Sequence, residues 1–268
     1  MRIFACGGDG TLFDVVNGVY GWPNVEVGCI PTGSGNDYIK NFGSKNDFLN
    51  IKEQIKGSGI PVDITSCNGE YYSINIASAG FDAEVCCHKN KMKKLSRLSG
   101  KLSYNAAIFK ALMFNIKNPL KITIDGNKIP KTNYLFVLAA NGKYYGSSFM
   151  PAPDAAPNDG LLEAVTIKSV PRLKILSLLS AYKKGTHVGL TDICTVKKAE
   201  TLCVESDREF SINLDGEVFK YKKAEFVVLP NALKFILPSH ITVKNDKIKQ
   251  PAFPVILKPL KAAKTECK

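Results

Sequence analysis

The sequence has no long apolar run. Nothing in it approaches the roughly 18 to 20 uninterrupted apolar residues of a membrane-spanning helix. Its longest greasy pieces, residues 134–140 and 226–229, have the length of strands. The opening Met-Arg-Ile-Phe-Ala-Cys is shorter than the roughly 7 to 15-residue core of a signal peptide. A cytoplasmic or membrane-peripheral protein is therefore expected. No C-x-x-C pair is present and there are only three histidines, which argues against a zinc centre. His88, His187 and His240 have no spaced partners, so none is assigned to chemistry. The single tryptophan, Trp22, reads as packing or a loop anchor. Cysteine is not scarce, but six of the eight are scattered and Cys86-Cys87 is vicinal. Without an export signal they read as reduced thiols, several of them serving as small core hydrophobes.

The 268 residues can bury a real core, as one large domain or two small ones. A hydrophobic content of 45% with 22% charged residues excludes wholesale disorder, collagen-like repeats and a coiled-coil rod. Thirty-six Lys and Arg against 24 Asp and Glu leave a net charge of +12. Such a surface attracts polyanions, whether nucleic acid, anionic lipid or nucleotide. Charge alone does not choose among them.

Apolar spacing organises the first part of the chain. Residues 2–6 and 25–31 read as buried strands, and 12–19, 36–42 and 48–55 as helices. Ser34, Asn36 and Asp37 are capping candidates for the second of these helices. Two strand-loop-helix units in succession imply a parallel sheet with a ligand at the carboxyl ends of its strands. After Asp63 the pattern turns to strands, at 62–67, 71–77, 120–125, 134–140, 162–167, 201–205, 210–214 and 224–229. Asp125-Gly126 and Asp215-Gly216 are hairpin signals. Helical interruptions are expected at 83–95, 102–115 and 171–183. The tail, 239–268, carries seven lysines and three prolines against Asp246 and Glu266, and reads as a flexible basic arm.

Two loops carry the chemistry. Gly7-Gly8-Asp9-Gly10-Thr11 lies between a strand and a helix. Its glycines let backbone N–H groups approach phosphate oxygens, and the helix directs its positive end at the same place. A carboxylate in such a loop repels phosphate unless a cation, Mg2+ by preference, stands between them. A glycine-rich turn that merely packs tightly is the alternative. Pro31-Thr32-Gly33-Ser34-Gly35-Asn36-Asp37 repeats the arrangement after the second strand, with a second carboxylate at Asp37. An ordinary capped helix start would be the plain reading of it in isolation. Both loops would face one crevice.

Gly-Gly-Asp-Gly-Thr followed by Gly-x-Gly-Asn-Asp resembles the diacylglycerol kinase catalytic-domain superfamily, which includes sphingosine and ceramide kinases and the bacterial lipid kinases. The bacterial branch fits best. Ser73 to Ala83, Asn141-Gly142 through Asp159-Gly160-Leu161, and Asp215-Gly216-Glu217 resemble further family blocks in the family's order. The resemblance implies an NAD-kinase/diacylglycerol-kinase-like fold, α/β plus β. An α/β nucleotide domain is expected over 1–63, with a return segment at about 226–238. A β-sandwich domain with lipid-site residues is expected over 64–225. Family members carry a further strand-helix unit before the first glycine loop, so the first domain is expected to be incomplete at its N-terminal end. Phe13 and Asp14 stand where the family often has Asn and Glu.

The roles implied are those of an ATP- and Mg2+-dependent lipid kinase. Gly7, Gly8, Asp9, Gly10, Thr11 and Ser34 would line the ATP phosphates. Asp9, Asp37 and Asp63 would organise Mg2+ through water, and Glu217 would be the general base. Asp159 would hold a second, structural Mg2+ with the carbonyls of Ala156 and Leu161. The acceptor would be diacylglycerol or a related lipid at an anionic membrane surface. The basic run from Lys89 to Lys101, broken by Met92, Leu95 and Leu98, is a candidate for docking there, or a solvated helix face. It holds no aromatics, which argues against nucleic acid. A homodimer is compatible with the sequence. Two other functions remain open at this point. A non-catalytic lipid- or nucleotide-binding protein is one. An NAD kinase is the other, although Gly35-Asn36-Asp37 departs from that pattern.

Overall fold

The computed structural model describes residues 1–81, 83, 86, 116–147 and 149–243. The expected helices at 83–95 and 102–115 and the basic run lie outside the described residues, apart from positions 83 and 86. The tail beyond 243 also lies outside them.

Strand β1 (Arg2–Gly7) and strand β2 (Glu26–Pro31) run parallel, joined by helix α1 (Asp9–Val19). The helix forms where apolar residues take up helical spacing, and it buries Leu12, Phe13, Val16 and Val19. In the β1–β2 register Arg2 lies opposite Glu26 and Gly7 opposite Pro31. The two strands therefore end side by side, and the loops that follow them start as neighbours. The expected helix at 36–42 is a single 3-10 turn, Tyr38–Asn41. The expected helix at 48–55 is two short ones, α2 (Lys45–Leu49) and α3 (Ile51–Lys56). Asn50 breaks them apart: it closes α2, and its side chain accepts the amide of Glu53 to start α3.

The remaining strands are β3 (Ser58–Cys67), β4 (Tyr71–Ser73), β5 (Ile76–Gly80), β6 (Asn118–Ile124), β7 (Asn127–Ala140), β8 (Leu162–Lys168), β9 (Cys194–Ala199), β10 (Thr201–Leu214) and β11 (Glu217–Leu237). Helix α4 (Arg172–Lys184) follows β8 and ends on Gly185 in the left-handed conformation. All the strands belong to one sheet, whose main path runs β1-β2-β11-β10-β5-β7-β8-β9. Strand β6 bridges β10 and β7 at one end while β5 bridges them at the other, so this part of the sheet closes on itself. Strand β11 pairs antiparallel with β10 along its first half and with β3 along its second, and it ends parallel to β2. A β-bulge between Leu229 and Leu233 interrupts its pairing with β3.

Three apolar cores follow from this winding. One lies inside the closed part of the sheet, around Leu120, Val137, Leu162, Leu202, Ile212 and Phe226. A second lies between the opposite face of β7 and β8 and helix α4, around Leu138, Val165 and Ile175. A shift of register between Tyr134 and Phe136 sets which β7 side chains face which core. The third packs α1, β1, β2 and the end of β11. There the fully buried Phe235 meets Tyr38, Phe42 and Phe48 at ring-centroid distances of 5.0, 5.6 and 6.2 Å. Truncating such a ring to alanine costs roughly 3–5 kcal/mol, so this cluster anchors the end of β11. No helix among the described residues is long and apolar enough to cross a membrane.

Candidate active site

The two glycine loops pack on each other. The carbonyl of Gly7 accepts the amides of Thr32 and Gly33 at 3.0 and 3.1 Å. A Cβ on Gly33 would come within 2.3 Å of the Gly8 Cα, so only glycine allows this approach. Helix α1 starts at Gly8 without a side-chain cap, and its first amides face the space between the loops. That space is a cleft of about 330 Å3. Gly8, Asp9, Gly10, Thr11, Ser34 and Asp37 line one side, and Asn75, Tyr145, Asn213, Asp215 and Glu217 line the other. Gly7 lies beneath the cleft and ties the loops together.

Asp9 and Asp37 meet at Gly35. The amide of Asp37 donates to Asp9 Oδ1 at 2.6 Å, and that of Tyr38 to the same atom at 3.4 Å. A Cβ on Gly35 would lie 2.6 Å from Asp9 Oδ2 and 3.3 Å from Asp37 Oδ2. Burial, and then the charge of Asp37, raise the pKa of Asp9. Asp37 is itself held by Lys40 Nζ at 2.5 Å and by the amide of Ser147 at 2.9 Å. Beside the loops the buried carboxamide Oδ1 of Asn36 has no hydrogen-bond partner among the described residues. Asp9 and Asp37 bring two carboxylates to the cleft, and their oxygens suit a hydrated hard cation such as Mg2+.

Glu217 stands across the cleft. A Cβ on Gly10 would lie 3.3 Å from Glu217 Oε1, so the carboxylate rests against the first glycine loop. The turn that carries it is clasped by Asp215, which in sequence is a hairpin signal and the first residue of the Asp215-Gly216-Glu217 block. Asp215 Oδ1 accepts the Ser73 hydroxyl and the amides of Asn75 and Ile76, and Oδ2 accepts the amide of Ile74. Burial raises its pKa to about 6 in spite of these donors. The clasp splits the expected strand 71–77 into β4 and β5. An Asp-Gly pair in a hairpin gives no local sign of it.

Two of the expected site positions belong elsewhere. Asp63 is fully buried and does not reach the cleft with Asp9 and Asp37. Its Oδ1 accepts the amide of Asn231 at 2.8 Å and its Oδ2 that of Gly160 at 2.7 Å. It fills the bulge of β11 and pins the loop before β8, and burial raises its pKa to about 6. Asp159, expected at a second Mg2+ site with the carbonyls of Ala156 and Leu161, also lies outside the cleft. Asp159 Oδ2 pairs with Lys198 Nζ at 2.6 Å, and its Oδ1 accepts the Leu161 amide at 3.0 Å. Leu161 meets Asp159 through its N–H rather than its carbonyl, and Ala156 lies upstream in the same loop.

An apolar cavity of about 60 Å3 adjoins the cleft under α4. Phe136, Ile167, Leu178, Leu179 and Tyr182 are among its walls. Tyr145 lines both spaces, and its hydroxyl lies 2.7 Å from that of Tyr182.

Comparison with known proteins finds relatives over most of the chain. The family model of the diacylglycerol kinase catalytic domain matches residues 1–67. That of the YegS C-terminal NAD kinase beta sandwich-like domain matches residues 75–237. The "Probable lipid kinase YegS-like" of Shewanella frigidimarina (strain NCIMB 400) is 31% identical over 243 residues, covering 88% of this chain and 76% of that protein. The "Diacylglycerol kinase" of Bacillus subtilis (strain 168) is 29% identical over 247 residues, covering 91% and 80%. In fold, the chain is similar to the crystal structure of a diacylglycerol kinase from Bacillus anthracis str. Sterne. The TM-score is 0.64 at 21% identity, covering 88% of this chain and 76% of that one.

Proposed function

Because the chain belongs to the diacylglycerol kinase catalytic-domain family, in its YegS-like lipid kinase branch, we propose that it transfers the γ-phosphate of ATP to the hydroxyl of diacylglycerol or a related lipid, giving phosphatidic acid. The observation that carries this reading is the meeting of Asp9 and Asp37 at the glycine loops, with Glu217 against Gly10 opposite them. Phosphoryl transfer needs in-line alignment and charge neutralisation more than covalent help.

The uncapped amides of α1 and the backbone of Gly8 and Gly10 would hold the phosphates of ATP, with the Thr11 and Ser34 hydroxyls beside them. Mg2+, bound through Asp9 and Asp37, would neutralise charge on those phosphates. The acceptor hydroxyl would enter between Glu217 and the γ-phosphate. Its oxygen forms the new bond to phosphorus as the bond from phosphorus to the ADP oxygen breaks, and its proton passes to the Glu217 carboxylate. The hydrocarbon part of the lipid would lie toward the apolar cavity, past Tyr145. Asp215 would act by positioning, holding the turn that carries Glu217.

The test is transfer of labelled γ-phosphate from ATP with Mg2+ to a lipid panel in mixed micelles. The panel holds diacylglycerol, monoacylglycerol, ceramide, sphingosine and undecaprenol. Labelled phosphatidic acid is the expected product. Label on another lipid alone would correct the acceptor. ATP binding with no transfer to any lipid would overturn the reading in favour of a binding protein.

A further inference from the structure

Helix α4 has two apolar faces. Ile175, Leu178, Leu179 and Tyr182 face the apolar cavity. Leu173 and Leu176, one turn apart, face solvent and are 82% and 46% exposed. A helix that merely roofs a core needs the first stripe and not the second. The charge around the outer leucines is of one sign. Arg172, Lys174, Lys183 and Lys184 lie on the helix, and no Asp or Glu occurs between residues 171 and 191.

We propose that the outer face of α4 is a docking surface for an anionic lipid bilayer. Leu173 and Leu176 enter the boundary between headgroups and acyl chains, and the basic residues around them meet lipid phosphates. A bilayer supplies both things this face asks for: apolar depth for the leucines and negative charge around them. The position fits the same occupant. The inner face of this helix roofs the cavity that shares Tyr145 with the cleft, so docking here sets that cavity beside the membrane. The inference rests on the lipid kinase reading for its purpose and not for its test.

The experiment uses the full chain and the double variant Leu173→Glu, Leu176→Glu, with thermal unfolding to check that both fold. Binding is measured by co-sedimentation with vesicles of phosphatidylcholine mixed with phosphatidylglycerol, and with vesicles of phosphatidylcholine alone. The wild type is expected to prefer the anionic vesicles, and the variant to bind them at least about tenfold more weakly. Phosphorylation of diacylglycerol embedded in those vesicles should fall with binding. Phosphorylation of a short-chain diacylglycerol in monomeric solution should not change. Equal vesicle binding by variant and wild type overturns the proposal. So does a wild type that ignores vesicles and forms a dimer that the substitutions break, which would give the face to a second copy of the chain. Absence of phosphorylation on both substrates would sink the kinase reading instead, while the sedimentation result still decides the docking surface.

Discussion

Asp9 accepts the backbone amide of Asp37 at 2.6 Å, 28 residues further along the chain. One carboxylate thus fixes the loop that carries the other, and both end at a glycine that could not bear a side chain. The price of this closeness is visible in the raised pKa of Asp9, which burial and the neighbouring charge both oppose ionising. Asp9→Asn keeps an oxygen for the Asp37 amide and removes the charge. Its thermal stability should hold or rise, while kcat/KM for lipid phosphorylation falls about 100-fold or more. Unchanged activity in a folded Asp9→Asn protein would remove Asp9 from the mechanism.

Glu217→Gln leaves the clasp of Asp215 on residues 73–76 intact. It takes away only the group that would receive the acceptor's proton. General-base contributions of this kind are worth about 100- to 10,000-fold. The loss should fall on kcat, with ATP binding by calorimetry close to wild type. A loss of ATP affinity with kcat preserved would make Glu217 a nucleotide contact instead of a base.

Gly33→Ala would put a methyl group 2.3 Å from the Gly8 Cα, a backbone contact that no rotamer relieves. The loops must part, at an overpacking cost of roughly 1–3 kcal/mol. ATP affinity should drop with stability. Gly18→Ala is the control, because a Cβ there meets nothing within 4 Å. It should be neutral or slightly stabilising within helix α1.

Asp63 gives the fold a pH dependence of defined sign. Its pKa rises from 3.8 to about 6 on folding, so the folded state holds the proton more tightly. Below about pH 4 both states are protonated and nothing is lost. Between about 4 and 6 the unfolded chain ionises first, so stability falls as pH rises, by up to roughly 3 kcal/mol from this group. Asp63→Asn cannot accept both the Asn231 and Gly160 amides and leaves one facing its own N–H donors. An orphaned buried donor of this kind costs roughly 1–3 kcal/mol. Measured by denaturant unfolding, the deficit of the variant should be largest near pH 4 and narrow toward pH 7. A gap that stays constant across that range would refute the buried-acid account.

The sequence shows what is set locally. Apolar runs ending in glycine mark β1 and β2, and helical spacing marks α1 and α4. It also brings Asp9, Asp37, Ser34 and Glu217 to one cleft, because their order along the chain matches a known pattern. What it hides is set by distant partners. Strand β9 escapes because Lys197 and Lys198 interrupt its apolar character, and pairing with β8 makes it a strand. Strands expected at 201–205 and 210–214 are one strand, β10, carried through a bulge. The role of Asp215 depends on donors about 140 residues away, and that of Asp63 on amides about 100 and 170 residues away. No local pattern contains such contacts.

Strand β11 carries Glu217 at its first residue and Phe235 near its last, so one uninterrupted backbone joins the two walls of the cleft. Widening the cleft without tearing the sheet would have to bend this lever, and the weak point of a strand is its bulge. Here that fulcrum is residues 230–232, where Asn231 adopts a positive φ of 54°. Asp63 is the pin in it. An aspartate that stands apart from the phosphate side of the cleft thus ties the strand shared by its two walls to the loop before β8.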